Sequence, residues 1–489
     1  MIDNNEIEEK NQQSVGSDEI RFEEPQNEEP KIEETPDEVS SPETPMSFSD
    51  DQPPAVYQEN KNQYLMVVAG GIIFFIVFIF IIKGIFFSGR ASKKEVKLTY
   101  WGLWEEKQVM QPLIDDYQRK NPNIKIDYQK LPVDSFREKL IARSKNSQGP
   151  DIFRFHNTWV PELKEVLAPL PPQVMSNEEY SKTFYKIHQD DLKIGSYFYG
   201  LPLMVDGLVL VYNDSLLKKA GITNGPVTWD DVTDIVPKLT VKDQQGNLIT
   251  SGIAIGTTGN LEFFSDIFGL LLAQNGGSLD KLDHQEAAGA LEIFRKFAEP
   301  PNEYWDESMP NSTTAFTQEK VGMIIVPSWE LLLIKSANPD IHIKVVPVPS
   351  VPGVPHKSLA SYWVEGVSRF SKNQIEAWKF LKYLTEKETM TKLYEIQNKQ
   401  RLFGEPYSRV DLAPLLSQNE YLGAVIKQAP DFVSLPVNSR TFDNGLNDGI
   451  IKYIENAINS TSQGVSYSEA LKTAKQGISQ IFSKYDISQ

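Results

Sequence analysis

Nineteen consecutive uncharged residues, 64–82 (YLMVVAGGIIFFIVFIFII), divide this chain into parts that cannot share one fold. At ~1.5 Å of helical rise per residue the run matches roughly the ~30 Å hydrocarbon thickness of a bilayer. It is apolar all round, whereas a helix on the surface of a water-soluble domain keeps a polar face. The run predicts one membrane anchor over 63–87, a tail over 1–62, a linker over 88–95 and a globular body of roughly four hundred residues behind them.

The formal net charge of −17 sits in the tail: residues 1–60 hold 18 Asp and Glu against 3 Lys and Arg, the remainder 48 against 46. The tail is rich in Glu, Pro, Ser, Asn and Gln (EEPQNEEPKIEETPDE). It lacks the large apolar side chains whose burial offsets ordering entropy, and it is expected to be disordered. The nearly neutral body argues against a clustered basic surface, so no nucleic-acid partner is expected. No secretory signal peptide is expected, because no basic leader precedes the apolar run. The chain has no cysteine, which excludes disulfides, thiolate chemistry, Cys-ligated zinc and a lipidated N-terminal Cys. Flanking charges bear on orientation. Lys61 stands close on the tail side, against Lys83, Arg90, Lys93, Lys94 and Lys97 on the body side. The positive-inside rule alone puts the body in the cytoplasm.

From Val96 onward the periodicity alternates between strand and helix. Val96, Leu98 and Tyr100 repeat every second residue; Val109, Leu113, Ile114 and Tyr117 follow at helical spacing, and Asn121-Pro122 ends that helix. Ile124, Ile126 and Tyr128 alternate again. Asp134 or Ser135 is placed to cap a helix that turns Phe136, Leu140 and Ile141 inward. Residues 151–155 read as a third strand after the Gly149-Pro150 turn. This order with short links implies a parallel sheet covered on both faces, which binds ligands beyond the carboxyl ends of its strands. Further along, 208–212 (LVLVY) reads as a buried strand, and Thr228 with Asp231 forms a capping box. Long helices are expected at 286–297, 374–384 and 446–459. The body exceeds the usual size of one domain, so two lobes are expected.

The chemistry-bearing motifs of common enzymes are missing. The five His (156, 188, 284, 342, 356) are scattered with no HExxH, and there is no GxSxG, no GxxxxGK[ST] and no GxGxxG after a strand. No enzymatic activity, cofactor or metal is expected.

Several blocks carry a resemblance, in order along the body: LTYWGLWEE (98–106), NPNIKIDY (121–128), GPDIFRFHNTW (149–159), YFYGLPLMVDGLVLVYNDSLLKKAGI (from Tyr197) followed by TWDDV, AFTQEKVGMIIVPSW (315–329), AWKFLKYLTEKE (377–388) and SYSEALKTAKQGI (466–478). Together they resemble the family-1 extracellular solute-binding proteins, the branch of the periplasmic-binding-protein superfamily typified by maltose-binding protein. The resemblance implies an α/β, two-lobed type II fold with a hinge. Its implied lobes are 96–205 plus about 356–405, and 206–355 plus about 406–489. It also implies capture of a sugar or similar polar solute between the lobes and delivery to the permease subunits of an ABC importer. A membrane helix here stands where many relatives have a cleaved signal or a lipidated Cys. The body then lies outside the cell and the acidic tail inside, against the Lys and Arg count; large domains translocate largely regardless of flanking charge. A single-pass solute sensor signalling through the tail, and a glycan-adhesion protein, are the alternatives.

A sugar site needs flat aromatic walls and a few short polar groups. At block positions the family uses, the candidates are Trp104 and Glu105 after the first strand, and Phe155, Asn157 and Trp159 at and after the third. Asp206 lies near the first expected crossing, Trp329 after the 323–326 strand, and Tyr362 and Trp363 open the strand that re-enters the first lobe. Glu105 also fits a helix cap. Trp229, at a helix start, and Tyr212-Asn213, at a strand end, read as structural.

Overall fold

The computed structural model describes residues 70–79 and 94–487. They fall in separate units, 1–88 and 89–489. Residues 70–79 are helical, with Ile72, Ile73, Phe74 and Phe75 exposed. The rest of the expected anchor, the tail over 1–62 and linker residues 88–93 lie outside the described residues. Among the described residues no helix is long and apolar enough to cross a membrane.

The body is built on two five-stranded sheets. In the first, β1 (Val96–Gly102) pairs in parallel with β2 (Ile124–Lys130), from Val96 opposite Ile124 to Gly102 opposite Lys130, and with β3 (Ile152–His156). The helices Lys107–Lys120 and Phe136–Lys145 make the crossovers between them. All five residues of β3 (IFRFH) are buried, as expected of a central strand covered on both faces. The expected all-parallel sheet needs correction at its other edge. There β13 (Trp363–Val367) runs antiparallel to β3, with Trp363 opposite His156, and β6 (Leu201–Pro202) runs antiparallel to β13. β13 enters from the second sheet and β6 leads out to it, so neither is tied to its neighbour by a βαβ crossover that would impose a parallel direction. A small hairpin, β4 (Lys193–Ile194) and β5 (Tyr197–Phe198), precedes β6.

The second sheet has the order β11 (Ile343–Val346), β7 (Leu208–Asn213), β10 (Val321–Pro327), β9 (Leu248–Ile253), β8 (Val241–Lys242). Both β7 and β10 are buried along their whole length, which explains their nearly unbroken apolar sequence. The capping box forms as expected: the Thr228 side chain accepts from Asp231 N–H, and the Asp231 carboxylate accepts from the Thr228 N–H at 2.8 Å. Asn213 caps the helix after β7 by accepting the Leu216 N–H at 3.0 Å. Trp229 opens its helix with its indole N–H on Gln274 at 2.8 Å. Ser135 makes no side-chain cap. Its backbone is left-handed (φ 54), not the extended conformation from which a capping serine accepts the N–H groups of the first turn.

The chain passes between the sheets where β6 leads to β7, and returns where β12 (Ser358–Leu359) leads to β13. These crossings lie side by side: Gly207 bridges Ala360, and the Ser361 N–H donates to the Asp206 carbonyl at 2.9 Å. Gly207 must be glycine, because a Cβ there would lie 2.4 Å from the Leu359 carbonyl oxygen. A third passage, between the helices Lys387–Asn398 and Gly423–Gln428, runs beside the first: Met204 bridges Tyr407, and the Val205 N–H donates to the Pro406 carbonyl at 3.0 Å. After it comes β14 (Phe432–Val433), which pairs with β12, and then the helix Leu446–Thr461.

Candidate ligand site on the two sheets

The first group of aromatic side chains grows from the carboxyl ends of β1 and β3. After β1 the chain turns at Gly102, where a Cβ would fall 2.2 Å from the Tyr128 hydroxyl oxygen. That hydroxyl donates to the Glu105 carbonyl at 2.8 Å and so holds the turn. The turn puts Trp104 in a left-handed backbone conformation (φ 67) with 42% of its surface exposed. Such a conformation in a bulky residue is unfavourable and concentrates at functional positions. Trp104 meets the edge of Trp363 at 5.4 Å between ring centres. Trp363 in turn meets Trp159 at 5.4 Å and His156 at 5.2 Å. The three indoles form a series from solvent to core: Trp104 exposed, Trp363 half-buried, Trp159 fully buried. The His156 ring is held by Thr158 Oγ1 at 2.8 Å and Ser361 Oγ at 3.2 Å, and burial depresses its pKa to about 3, so it is neutral.

The second group stands at the carboxyl end of β10. Trp329, half-buried, precedes the helix Glu330–Ala337 and takes the edge of Phe263 at 5.7 Å. The Arg440 guanidinium lies over the Trp329 ring, 5.6 Å from its centre, and is ion-paired with Glu262. The turn carrying Trp329 is held from below by Asp206. Its buried carboxylate accepts the Gly207 N–H at 2.7 Å and the Ser328 N–H at 3.4 Å. Burial pushes the Asp206 pKa up to about 7.

Of the nine candidates, Trp104, Trp159 and Trp363 come together in one cluster, and Trp329 stands in the other. The remaining five are engaged within the protein. Glu105 is buried and accepts from Gln397 and Arg401, both at 2.9 Å; Glu106, not Glu105, occupies the helix-cap position, without a side-chain cap bond. Phe155 packs in the core. Asn157 donates to Asp191 at 2.9 Å and Ser434 at 3.0 Å, and the Tyr362 hydroxyl donates to the same Asp191 at 2.7 Å. Asp206 acts through the Trp329 turn. Sequence reasoning missed Glu262, Phe263 and Arg440. Phe263 and Glu262 lie in GNLEFF just ahead of a buried helix, and Arg440 in SRTFDNG, where nothing local marks a wall. Among the described residues no three His, Asp or Glu gather as a metal site. A cavity of about 1080 Å³ lies apart from both clusters, on the second-sheet side, lined by Thr257, Arg295, Trp305, Glu455 and Tyr467 among others.

Residues 102–391 match the sequence model of the bacterial extracellular solute-binding proteins, and the chain belongs to that family. It is 22% identical over 338 residues to the multiple sugar-binding protein of Streptococcus mutans, covering 63% of this chain and 76% of that one. It is 25% identical over 272 residues to the maltodextrin-binding protein of Bacillus subtilis, covering 51% and 59%. Among solved structures, a cyclo/maltodextrin-binding protein complexed with maltotetraose superposes with a TM-score of 0.66 at 19% identity, covering 80% of this chain and 99% of that one. A solute-binding protein from Thermotoga lettingae bound to α-D-tagatose gives 0.60 at 23%, covering 79% and 99%. These likenesses establish the two-lobed α/β fold.

Proposed function

We propose that this chain is a membrane-tethered receptor that captures a carbohydrate between its two lobes, outside the cell, and delivers it to an ABC importer. The lobes comprise 96–205 plus about 356–405, and 206–355 plus about 406–489. The observation that carries the reading is the pair of aromatic clusters, one at the strand ends of each sheet, joined by adjacent crossing segments. Indole faces suit the C–H faces of a sugar, and paired crossings suit hinge closure on a bound solute. Trp104, Trp363 and Trp329 are the walls, with Trp159 backing the first of them. The sugar-binding relatives support the solute class. The apolar run over 64–82 supports the tether, which keeps the receptor at high effective concentration beside its transporter.

The test is calorimetric titration of the full chain in detergent micelles with mono- and oligosaccharides, peptides and polyamines. Saturable heat with a sugar is expected, and Trp329→Ala lowers that affinity by roughly tenfold or more, the loss of about 1–3 kcal/mol of buried aromatic contact. Heat with none of the sugars overturns the reading. Protease added to intact cells is expected to degrade the body and spare the tail; the reverse pattern overturns the topology and favours a cytoplasmic body.

A further inference from the structure

Arg440 reaches Trp329 from an unusual piece of backbone. Arg440 (φ 59), Phe442 (φ 54) and Asn444 (φ 47) all adopt the left-handed conformation that L-residues avoid. The segment is anchored at both ends. On one side Asn438 Nδ2 donates to Asp266 at 3.3 Å and the Ser439 N–H to the same carboxylate at 3.0 Å. On the other the Asp443 carbonyl accepts from Arg137 Nε at 2.6 Å, and Asn447 Nδ2 donates to Thr158 Oγ1 at 2.7 Å. Held this way, a guanidinium with a planar fork of donors and a carboxylate with paired acceptors stand beside one aromatic ring. Their side chains keep 37% and 19% of their exposure, so ligand can reach both.

The charge balance of this corner selects among ligands. The pair is neutral by itself. Four ionisable groups beside the walls are engaged within the protein: Glu105 is paired with Arg401, Asp206 is buried beneath the Trp329 turn, Glu330 is buried and accepts from the Thr313 hydroxyl at 2.9 Å, and His156 is neutral. An anionic ligand drawn to Arg440 would displace Glu262, and a cationic one drawn to Glu262 would displace Arg440. The first leaves the half-buried Glu262 carboxylate without its partner, which is unfavourable, and the second takes the Arg440 guanidinium from its place over the Trp329 ring. Adjacent hydroxyls of an uncharged sugar can instead accept from the fork and donate to the carboxylate while the pair stays intact. We propose that Arg440 and Glu262 together are the specificity-determining polar element of the site, reading neighbouring hydroxyls of a neutral sugar stacked at Trp329. This rests on the receptor reading above.

The experiment titrates the full chain, in detergent micelles, with maltotetraose, mannobiose and tagatose as neutral probes, and with a glucuronate-bearing and a glucosamine-bearing disaccharide as charged ones. At least one neutral sugar is expected to bind more tightly than either charged probe. Arg440→Ala and Glu262→Gln are each expected to weaken it by about tenfold or more, the range for losing a charge-assisted hydrogen bond, with losses that do not add in the double variant. Arg440→Lys keeps the charge and removes the fork, and is expected to lose nearly as much as Arg440→Ala. Near-ultraviolet circular dichroism verifies the folded state of each variant. If a neutral sugar binds and both single variants bind it unchanged, the pair's role is overturned while the receptor reading stands. A charged probe binding more tightly than every neutral one overturns the neutrality. Failure of all sugars to bind the wild-type chain removes the receptor reading and this inference with it.

Discussion

Replacing Asp206 by Asn should change how stability depends on pH. The Asp206 side chain is 1% exposed, between the two crossings and the Trp329 turn. Burial raises its pKa from 3.8 to about 7, and the N–H groups of Gly207, Ser328 and Trp329 only partly offset that. The folded state therefore holds this proton more tightly than the unfolded chain. Stability is greatest below the unfolded pKa and is lost as pH rises, the loss being complete above the folded pKa. From 3.8 to about 7 it amounts to roughly 4 kcal/mol, of which roughly 2–3 kcal/mol accrues between pH 5 and pH 8. Asn is the same size, keeps an acceptor for the Gly207 and Ser328 N–H groups, and never ionises. Other buried carboxyls with raised pKa values, such as Glu162 at about 7 and Asp191 and Asp266 at about 6, act in both proteins and cancel in the difference. The assay is urea unfolding followed by tryptophan fluorescence at both pH values. Asp206→Asn should gain on wild type by roughly 2–3 kcal/mol from pH 5 to pH 8. Parallel pH profiles would refute the reasoning.

Trp104→Gly should weaken sugar binding severalfold in calorimetry while the unfolding midpoint stays level or rises, because glycine accepts the left-handed backbone that the indole does not. A lowered midpoint with intact affinity would reverse the assignment. Arg154→Met should cost about 3–5 kcal/mol in urea unfolding. It leaves buried carboxylates of Glu365 and Glu405, now 2.6 and 2.9 Å from Arg154, without their cation. Converting Glu365 and Glu405 to Leu in the same chain should recover much of that loss. Thr228→Ala should cost about 1 kcal/mol by the same assay, since it removes the capping hydroxyl from the Asp231 N–H.

What the sequence disclosed follows from how locally each feature is encoded. The alternation in β1 and β2, the unbroken apolar runs of β7 and β10, and the Thr228 capping box are fixed by neighbours a few residues apart, and the structure places each as read. The antiparallel direction of β13 and β6 was not legible, because strand direction there depends on crossings between sheets rather than on local pattern. Side-chain engagement was less legible still. Glu105 and Arg401 are paired across nearly three hundred residues of chain, as are Asn157 and Ser434. A carboxylate after a strand reads as a ligand contact until its distant partner is seen. Arg440 was missed for the converse reason. Its contact is with Trp329, more than a hundred residues away, and it is made from a left-handed turn that SRTFDNG does not announce.

The claim on which everything turns is that solute sits between the two aromatic clusters. The direct measurement is a crystal structure of the body with its tightest-binding sugar. The account predicts a pyranose or furanose ring against Trp329, with its far side or next ring against Trp104 and Trp363, and Arg440 and Glu262 at its hydroxyls. A sugar seated instead in the cavity beside Trp305 and Arg295, with both indole clusters untouched, would contradict it.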